Sequence, residues 1–299
     1  MRVLTAAALA FLTVAAVRAQ QQPTFRSGTS VVPILATVLD DSGRLVPDLE
    51  RADFTVLDNG KPQEVASVQN DVRPLAFVVT MDFSFSMSQD LSRMRAAAEQ
   101  FAEQMLPEDV GQVGAFSDKV VFSGRFTSDR AELVQGLARL PAGNPSRFYD
   151  AVAASIDLLD NARWRKVVLV FTDGDDTASR LRLGDVLKKA REKDVMVYGI
   201  GVQSEFFNGV RMQRSRPSAE LRKLADETGG GYFAAGKTTD LASIVARVAH
   251  EVHSVYTLGF TPAKRDGKTH KLEIRVSPGL VARAPRSYVA SRDRHPGTH

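Results

Sequence analysis

The chain has 299 residues, of which 43% are hydrophobic and 25% are charged, and its formal net charge is +4. This is ordinary globular composition. A chain of this size buries enough surface for one large domain or two smaller ones to form without disulfides or structural metal ions. Because it contains no cysteine, disulfides, thiolate metal sites and reactive thiols are excluded. Basic and acidic residues are interspersed and no aromatic-basic motif occurs, which argues against nucleic-acid binding.

Residues 1–19 have the pattern of an export signal. Arg2 forms a short positive region, an apolar run follows it, and Val17-Arg18-Ala19 places small residues at the −3 and −1 positions. The alternatives are a membrane anchor or a buried helix, but the run is shorter than the roughly 20 residues that span a bilayer. We expect cleavage after residue 19 and a periplasmic or extracellular protein, with no membrane span after cleavage.

Residues 20–72 form the first predicted segment of the mature chain. The stretch SVVPILATVLD at 30–40 has a strand pattern and ends at the turn Asp41-Ser42-Gly43, and Asp58-Asn59-Gly60 within 53–68 signals a hairpin. So few strands are marginal on their own. We therefore expect them to pair with strands from elsewhere in the chain.

Residues 73–255 alternate strand-like and helix-like patterns. Valine-rich apolar runs predict parallel strands covered on both faces, although the pattern alone does not exclude a buried helix; they lie at 75–81, 110–116, 166–172 and 195–202. The segment 119–126 predicts an antiparallel edge strand. Helices are predicted at 88–106, 130–140, 148–161, 183–193, 217–228 and 241–255. This alternation predicts an open, doubly wound, mostly parallel α/β sheet.

Residues 256–291 return to strand patterns, and 292–299 are predicted to be a tail. The strand-like stretches lie at 256–262, 270–276 and 286–290. The economical interpretation is that this segment pairs with the N-terminal one. Both chain ends would then form one small β-domain, into which the α/β domain is inserted.

Polar side chains follow two of the predicted parallel strands. Asp82, Ser84 and Ser86 come after the strand at 75–81, Asp173 comes after the strand at 166–172, and Ser146 lies in a loop that should reach the same edge. Ligands of open α/β sheets bind beyond the carboxyl ends of the strands, so we expect these groups to converge. Carboxylates and hydroxyls are hard oxygen donors, which favour Mg²⁺, Mn²⁺ or Ca²⁺ over zinc or copper.

This ordered set resembles the von Willebrand factor type A domain over about residues 75–255. The residues that carry the resemblance are Asp82-x-Ser84-x-Ser86, Ser146-Arg-Phe-Tyr149-Asp150, VLVFTDG ending at Asp173-Gly174, and VMVYGIGV. The family's metal-ion-dependent adhesion site uses an Asp-x-Ser-x-Ser motif, a threonine and a second aspartate. By resemblance, the two serines of the motif bind the metal directly, both aspartates act directly or through water, and Ser146 takes the threonine position. The flanking strands resemble exported bacterial proteins that carry such a domain.

Two positions depart from the family pattern. Ser146 keeps the hydroxyl of threonine but loses a methyl, so its rotamer is less restrained. Phe85 stands where the family usually has glycine, and its ring either lines the ligand cavity or crowds the metal. Together with Phe83, Phe206 and Phe207, it is predicted to form an apolar rim that binds the partner.

The resemblance implies a non-enzymatic adhesion protein that captures an Asp or Glu of a protein partner through a divalent metal ion. A structural envelope protein with a degenerate metal site is the alternative, and a magnesium-dependent phosphatase is a further one. The phosphatase needs an acid two residues after its first aspartate, where this chain has Ser84. A serine hydrolase needs a base near its nucleophile, but all five histidines lie at or beyond residue 250.

Other conspicuous residues have structural interpretations. Asp82 and its serines would serve, on the plainest interpretation, only to cap the following helix. His250 and His253 are predicted to be solvated, because the apolar stripe of their helix places them towards its outer face. A zinc site there would need a third ligand, and none is evident. Trp164 is predicted to pack under the start of the following strand.

Overall fold

The computed structural model describes residues 31–174, 176–207, 210–215 and 218–292. The predicted export signal at 1–19 lies outside the described residues, as do 20–30 and 293–299. No helix in the described ranges is long and apolar enough to cross a membrane.

Within those ranges the chain forms sixteen β-strands and six α-helices. The strands are β1 (Val32–Asp40), β2 (Thr55–Asp58), β3 (Lys61–Gln63), β4 (Val65–Gln69), β5 (Leu75–Asp82), β6 (Val110–Phe116), β7 (Val120–Phe122), β8 (Arg165–Thr172), β9 (Val195–Val202), β10 (Glu205–Phe207), β11 (Met212–Arg214), β12 (Tyr232–Ala235), β13 (Tyr256–Phe260), β14 (Thr269–Arg275), β15 (Leu280–Arg283) and β16 (Ser287–Val289). The helices are α1 (Leu91–Glu103), α2 (Arg130–Ala138), α3 (Phe148–Leu158), α4 (Leu183–Lys193), α5 (Ala219–Thr228) and α6 (Leu241–His253).

The central sheet has six strands in the order β12-β9-β8-β5-β6-β7. All are parallel except β7, which pairs antiparallel with β6 at the edge. β5 lies between β6, the next strand in the chain, and β8, which follows α2 and α3. The strand order therefore reverses at β5, and the crevice at the carboxyl ends of β5 and β8 is the place where such sheets bind ligands. The predicted doubly wound, mostly parallel α/β sheet is confirmed.

β5 is buried along its whole length because helices cover both faces of the sheet. Its residues Phe77, Val79 and Met81 pack with α1, α2 and α6, whereas Ala76 and Val78 pack with α3, α4 and α5. Burial on both faces explains why this strand is continuously apolar rather than alternating. Each such aliphatic or aromatic side chain contributes roughly 1.5–3 kcal/mol when it leaves water.

The two ends of the chain build a second domain of two four-stranded antiparallel sheets. β1 pairs with β13, and Ala36 lies opposite Tyr256, while β2 pairs with β14 in the other sheet. The strand orders are β15-β1-β13-β4 and β16-β14-β2-β3, and both sheets share one hydrophobic core. The hairpin predicted at Asp58-Asn59-Gly60 joins β2 to β3, and both of its central residues have positive φ. The predicted β-domain formed by both ends is confirmed as part of the fold.

His253 corrects the prediction of two solvated histidines on α6. His250 is exposed, but the His253 side chain is only 12% exposed, and its Nε2 lies 2.9 Å from Asp109 Oδ2. The Nδ1 atom lies 2.7 Å from the Ala249 carbonyl oxygen. Asp109 also accepts a hydrogen bond from the Leu75 backbone at 2.8 Å. The histidine therefore ties the end of α6 to the start of β5.

Removing both chain ends is expected to lower the stability of the α/β domain. The predicted boundaries of this domain, 73 and 255, remain a prediction that truncation tests. Leu35 of β1 packs against its helix-covered core, and Arg283 of β15 pairs with the buried Glu251 of α6. A 73–255 fragment exposes the first contact and leaves Glu251 paired with Arg247 but no longer with Arg283, so it should melt below the 20–299 chain. Equal melting temperatures in a thermal unfolding scan would contradict this.

Candidate metal centre

Asp82 is the last residue of β5 and lies at the centre of a hydrogen-bonded cluster. Its Oδ1 accepts from the Ser84 backbone N–H at 2.9 Å. Its Oδ2 accepts from Thr172 Oγ1 at 2.6 Å and from Ser146 Oγ at 3.3 Å. The structure thus brings together, at one carboxylate, residues from β5, β8 and the loop before α3.

The residues that follow Asp82 lie in three environments: the core, the solvent-exposed surface, and the space beside the Asp82 carboxylate. Phe83 and Met87 are 1% and 0% exposed and belong to the core, whereas Phe85 is 63% exposed. A short 3-10 turn over Phe85–Met87 places Ser86 Oγ 3.2 Å from Ser84 Oγ. The two hydroxyls therefore lie side by side next to the carboxylate.

Asp173 follows the end of β8 directly, and its turn is held against α5. Gly174 has a φ of 90°, and a Cβ added to it would lie 1.8 Å from the Ser218 Cβ. Ser218 also caps α5 by accepting from the Leu221 backbone at 3.1 Å. Only glycine fits this close approach. The turn presents the Asp173 carboxylate to Ser204, whose Oγ donates to its Oδ2 at 3.1 Å.

Ser146 is fixed by the loop that follows Asp173. Its backbone N–H donates to Thr177 Oγ1 at 3.0 Å, and its carbonyl oxygen accepts from the Thr177 and Ala178 backbones, each at 3.0 Å. With the serine 4% exposed, the backbone contacts restrain its position although the methyl group of threonine is missing. Ser146 Oγ is therefore held near Asp82.

The Asp82 and Asp173 carboxylates place two acidic groups close together in a buried setting. Asp82 is fully buried, and loss of water around it, followed by the negative charge of Asp173, raises its pKa to about 6. All of its hydrogen-bond donors are neutral hydroxyls or a backbone amide. Within the described residues no Arg, Lys or His pairs with it. A buried carboxylate without a counter-charge is costly, and a bound cation would remove that cost.

The donor set suits a hard divalent cation. Asp82, Ser84, Ser86, Ser146 and Asp173 supply carboxylate and hydroxyl oxygens, the ligands that Mg²⁺, Mn²⁺ and Ca²⁺ prefer. Among the residues that the structure describes, no group of three His, Cys, Asp or Glu side chains is placed to hold a metal. Any ion here would thus depend on the hydroxyls, and a third acid would have to come from outside this part of the chain.

The structure corrects one residue of the predicted apolar rim. Phe83 is buried in the core and its ring lies 5.0 Å from the Arg95 guanidinium, so it offers no surface to a partner. Phe85 is exposed, as a rim residue should be. Phe206 and Phe207 lie in β10, but their side chains are outside the described residues.

A β-hairpin, which the sequence patterns do not predict, stands beside the cluster. β10 pairs with β11, and its base is closed by the Ser204 backbone N–H, which donates to Ser215 Oγ at 2.9 Å. β10 also lies against the turn that carries Phe85. The hairpin displays Val210 and Met212, which are 85% and 56% exposed.

Sequence reasoning gave no role to two residues that contact the carboxylates. Thr172 is fully buried and donates to Asp82, and Ser204 is fully buried and donates to Asp173. Each has a polar side chain at or just beyond the end of an apolar strand, which is the signal that identified Asp82, Ser84, Ser86 and Asp173. Both positions complete the cluster at the carboxyl ends of β5, β8 and β9.

The von Willebrand factor type A domain family matches residues 76–247, which is more than half of the chain. This range contains the cluster and all of the central sheet except Leu75, the first residue of β5. No curated protein shows a significant match to the sequence.

Several solved structures share the fold. A von Willebrand factor type A protein from Catenulispora acidiphila is 14% identical, and the match covers 90% of this chain and 76% of that chain with a TM-score of 0.52. An aerotolerance-related membrane protein from Bacteroides fragilis is 15% identical over 60% of this chain and 98% of that one, with a TM-score of 0.52. Proximal thread matrix protein 1 from the mussel byssus, solved with a zinc-occupied MIDAS motif, is 14% identical over 66% and 50%, with a TM-score of 0.50. At these identities the likeness establishes the fold alone.

Proposed function

Because the chain belongs to the von Willebrand factor type A domain family, we propose that it is an exported, non-enzymatic protein that captures an acidic residue of a protein partner through a divalent metal ion. Domains of this family are generally interaction modules. Export rests on the signal pattern of residues 1–19. The ion is Mg²⁺, or Mn²⁺ or Ca²⁺ in its place.

The observation that carries this proposal is the buried charge of Asp82 beside Asp173. The two carboxylates lie at the reversal of strand order, and among the described residues all the hydrogen-bond donors to Asp82 are neutral. The plainest interpretation, in which Asp82 merely caps a helix, leaves that cost unexplained. The helix that follows, α1, has Asp90 and not Asp82 as its N-terminal cap residue.

The residues of the cluster have distinct roles in this proposal. Ser84, Ser86 and Ser146 would coordinate through neutral hydroxyls, whereas Asp82 and Asp173 would act directly or through water. An ion bound here would keep much of its positive charge and would offer an open coordination position to a carboxylate oxygen. Thr172 and Ser204 would orient the two carboxylates by the hydrogen bonds that they donate.

The surface around the cluster supports recognition of a protein. Phe85, Val210 and Met212 are exposed apolar side chains on the turn and the hairpin beside it. Covering them would exclude water and so strengthen the attraction between an ion and a carboxylate. Phe206 and Phe207 remain predicted contacts of the same surface.

The alternative of a degenerate metal site depended on Phe85 crowding the ion. A ring that is 63% exposed is directed mainly into solvent, which favours the rim interpretation. The phosphatase alternative needs an acid at position 84, where the Ser84 hydroxyl contacts another hydroxyl. Neither alternative accounts for the buried Asp82 carboxylate beside Asp173 as well as metal-dependent capture does.

We expect capture of a partner from envelope extract to be lost with a chelator and with Asp173→Ala, and to return with Mg²⁺ in the wild type. The matched control is Asp41→Ala, an exposed acid in the β-domain, which should capture normally. Changing the partner's contacting acid to its amide should abolish binding as well. Capture that survived both metal removal and the amide substitution would contradict the proposal.

Phe85→Ser separates the two possible effects of this ring. Because the ring is exposed, Mg²⁺ affinity by calorimetry should stay within about threefold of the wild type, whereas partner capture should weaken by about tenfold. An Mg²⁺ affinity that instead rose more than tenfold would mean that Phe85 crowds the site.

A further inference from the structure

A cavity of about 550 Å³ lies between the two domains, at the edge of the central sheet opposite the candidate metal centre. Arg165 and Val195, the first residues of β8 and β9, line one side of it, and Pro33 and Tyr288 of the β-domain line the other. Small-molecule sites are typically about 300–1,000 Å³ and occur preferentially at domain interfaces. The size and the place are those of a ligand site, and the proposed metal function makes no use of it.

The cavity has an apolar surface centred on Trp164. The indole lines the cavity and is 45% exposed, which corrects the prediction that it packs under the following strand. Ile34 and Leu35 of β1, Pro74 just before β5, and Leu187 of α4 also line the cavity. A large aromatic ring left half in water beside other apolar side chains is typical of a binding surface.

The same cavity has an excess of positive charge. Its basic lining residues are Arg73, Arg163, Arg165, Lys166 and Arg191, and its acidic ones are Asp194 and Glu227. Within the described ranges, only Arg73 of the five basic side chains forms an ion pair, with the exposed Asp71 at 3.9 Å. The positive charge of Lys166 also favours the ionised form of Asp194, so the excess positive charge lies chiefly on the arginines.

Neutral groups hold three of these cations in place. Arg191 Nε donates to Ser287 Oγ at 2.7 Å, and Lys166 Nζ donates to the Lys193 carbonyl oxygen at 3.0 Å. Arg165, which is 8% exposed, donates to backbone carbonyl oxygens of Val252 and Val255, and its Nε has no partner in the described structure.

Two of these positive charges, those of Arg73 and Arg165, oppose one another. Burial, together with the positive charge of Arg73, lowers the pKa of Arg165 to about 10. An anion in the cavity would relieve this repulsion. The planar guanidinium group pairs well with a carboxylate, and the adjacent apolar surface favours a ligand that also carries an apolar body.

We propose that this cavity binds a small amphipathic organic acid, with its carboxylate against the arginines and its apolar body against Trp164. The inference is independent of the proposed metal-dependent function. A bound acid would contact both domains at once, so it should also stabilise the folded chain against unfolding.

The test uses Trp164, which is the only tryptophan of the chain. Titration of the mature protein with decanoate should shift the tryptophan emission to shorter wavelength, because the apolar chain of the ligand replaces water at the ring. The shift should saturate at a decanoate concentration of about 1 mM or below. Decanol, which lacks the charge, should bind at least about tenfold more weakly. Inorganic phosphate should cause no shift, and anionic vesicles should not compete with decanoate.

Variants connect the signal to the basic residues. The double variant Arg163→Gln/Arg191→Gln should weaken decanoate binding by at least about tenfold, whereas Arg125→Gln, an exposed arginine elsewhere, should leave it unchanged. Asp82→Ala should also bind normally. The melting temperature without ligand verifies that each variant is folded.

The proposal is overturned if decanoate causes no saturable shift, if decanol binds as tightly as decanoate, or if the double variant binds like the wild type. Competition by vesicles or a response to phosphate would assign the site to a lipid surface or to a simple anion instead.

Discussion

Replacing Asp82 by asparagine is expected to abolish Mg²⁺ binding and yet to raise the free energy of unfolding of the metal-free protein, by about 1–3 kcal/mol at pH 8. The carboxyl group is fully buried, and burial together with Asp173 raises its pKa from 3.8 to about 6. Above that pH the ionised group is worse accommodated in the folded state than in the unfolded chain. The amide removes the charge and keeps the shape.

The contribution of Asp82 to the stability of the metal-free protein should fall as the pH rises. The folded protein binds the Asp82 proton more tightly than the unfolded chain does, so acid stabilises the metal-free fold through this group. Its contribution is complete below about pH 4, the ordinary range of an aspartate, and is lost as the pH rises through about 6. Metal binding should weaken over the same interval as the pH falls, because protons then compete with the ion.

Urea unfolding at pH 5 and pH 8, with chelator and with Mg²⁺, measures both effects. The wild type should gain stability from Mg²⁺ at pH 8, and Asp82→Asn should not. Asp41→Asn, in an exposed turn, is the control and should behave as the wild type. An Asp82→Asn variant that was less stable than the wild type at pH 8 in chelator would show that the carboxylate is not a destabilising charge.

Substituting Glu251 by alanine is expected to cost about 3 kcal/mol of folding free energy. Glu251 lies on α6, is 1% exposed, and accepts from Arg247 Nε at 3.1 Å and from the Arg283 guanidinium of β15. Its loss leaves the Arg283 side chain, four-fifths buried and with an unpartnered Nε, without a counter-charge. The pair also joins the two domains, so unfolding should become less cooperative.

The double variant Glu251→Leu/Arg283→Leu distinguishes a lost charge pair from lost packing. Removing both charges leaves no buried ion unpaired, because the remaining partner, Arg247, is half-exposed. This variant should therefore be more stable than Glu251→Ala. Urea denaturation of the three proteins is the measurement. A change below about 1 kcal/mol for Glu251→Ala would mean that water compensates Arg283.

The sequence predicts the central sheet well because its strands are covered on both faces. A continuous apolar run is compatible with few structures other than a buried strand. The run of β9, for example, is predicted at 195–202 and is found at Val195–Val202. β12 and β15 are four residues long and lie at sheet edges. So short a segment contains too little periodicity to identify, and its pairing depends on tertiary contacts.

The sequence pattern anticipates that the five candidate site residues lie near one another. It does not anticipate the positions of the predicted rim residues. A strand period of two would place Phe83 and Phe85 on the same side. The 3-10 turn that begins at Phe85 breaks this period, so one ring enters the core and the other faces solvent. Likewise, the contact of Thr172 with Asp82 follows from the register of β5 and β8, in which Met81 lies opposite Phe171, and a single sequence does not reveal register.

His253 shows a different limit. Helix periodicity correctly separated the apolar stripe of α6 from its other face, but it does not show what covers that other face. The loop before β6 does so, through Asp109. An ionisable pair between distant segments leaves no local trace in the sequence.

The contacts of Asp109 have a consequence for the order in which this chain folds. β1 and β13 pair although Ala36 and Tyr256 are separated by most of the sequence, and closing so long a loop in an unfolded chain is entropically costly and slow. Asp109 accepts a hydrogen bond from Leu75, where the inserted domain begins, and contacts His253, where it ends. Once that domain has formed, the two flanking segments therefore emerge side by side, and the long closure becomes a short one. Nucleation in the insert, followed by late zippering of the terminal strands, is the folding route that this topology favours.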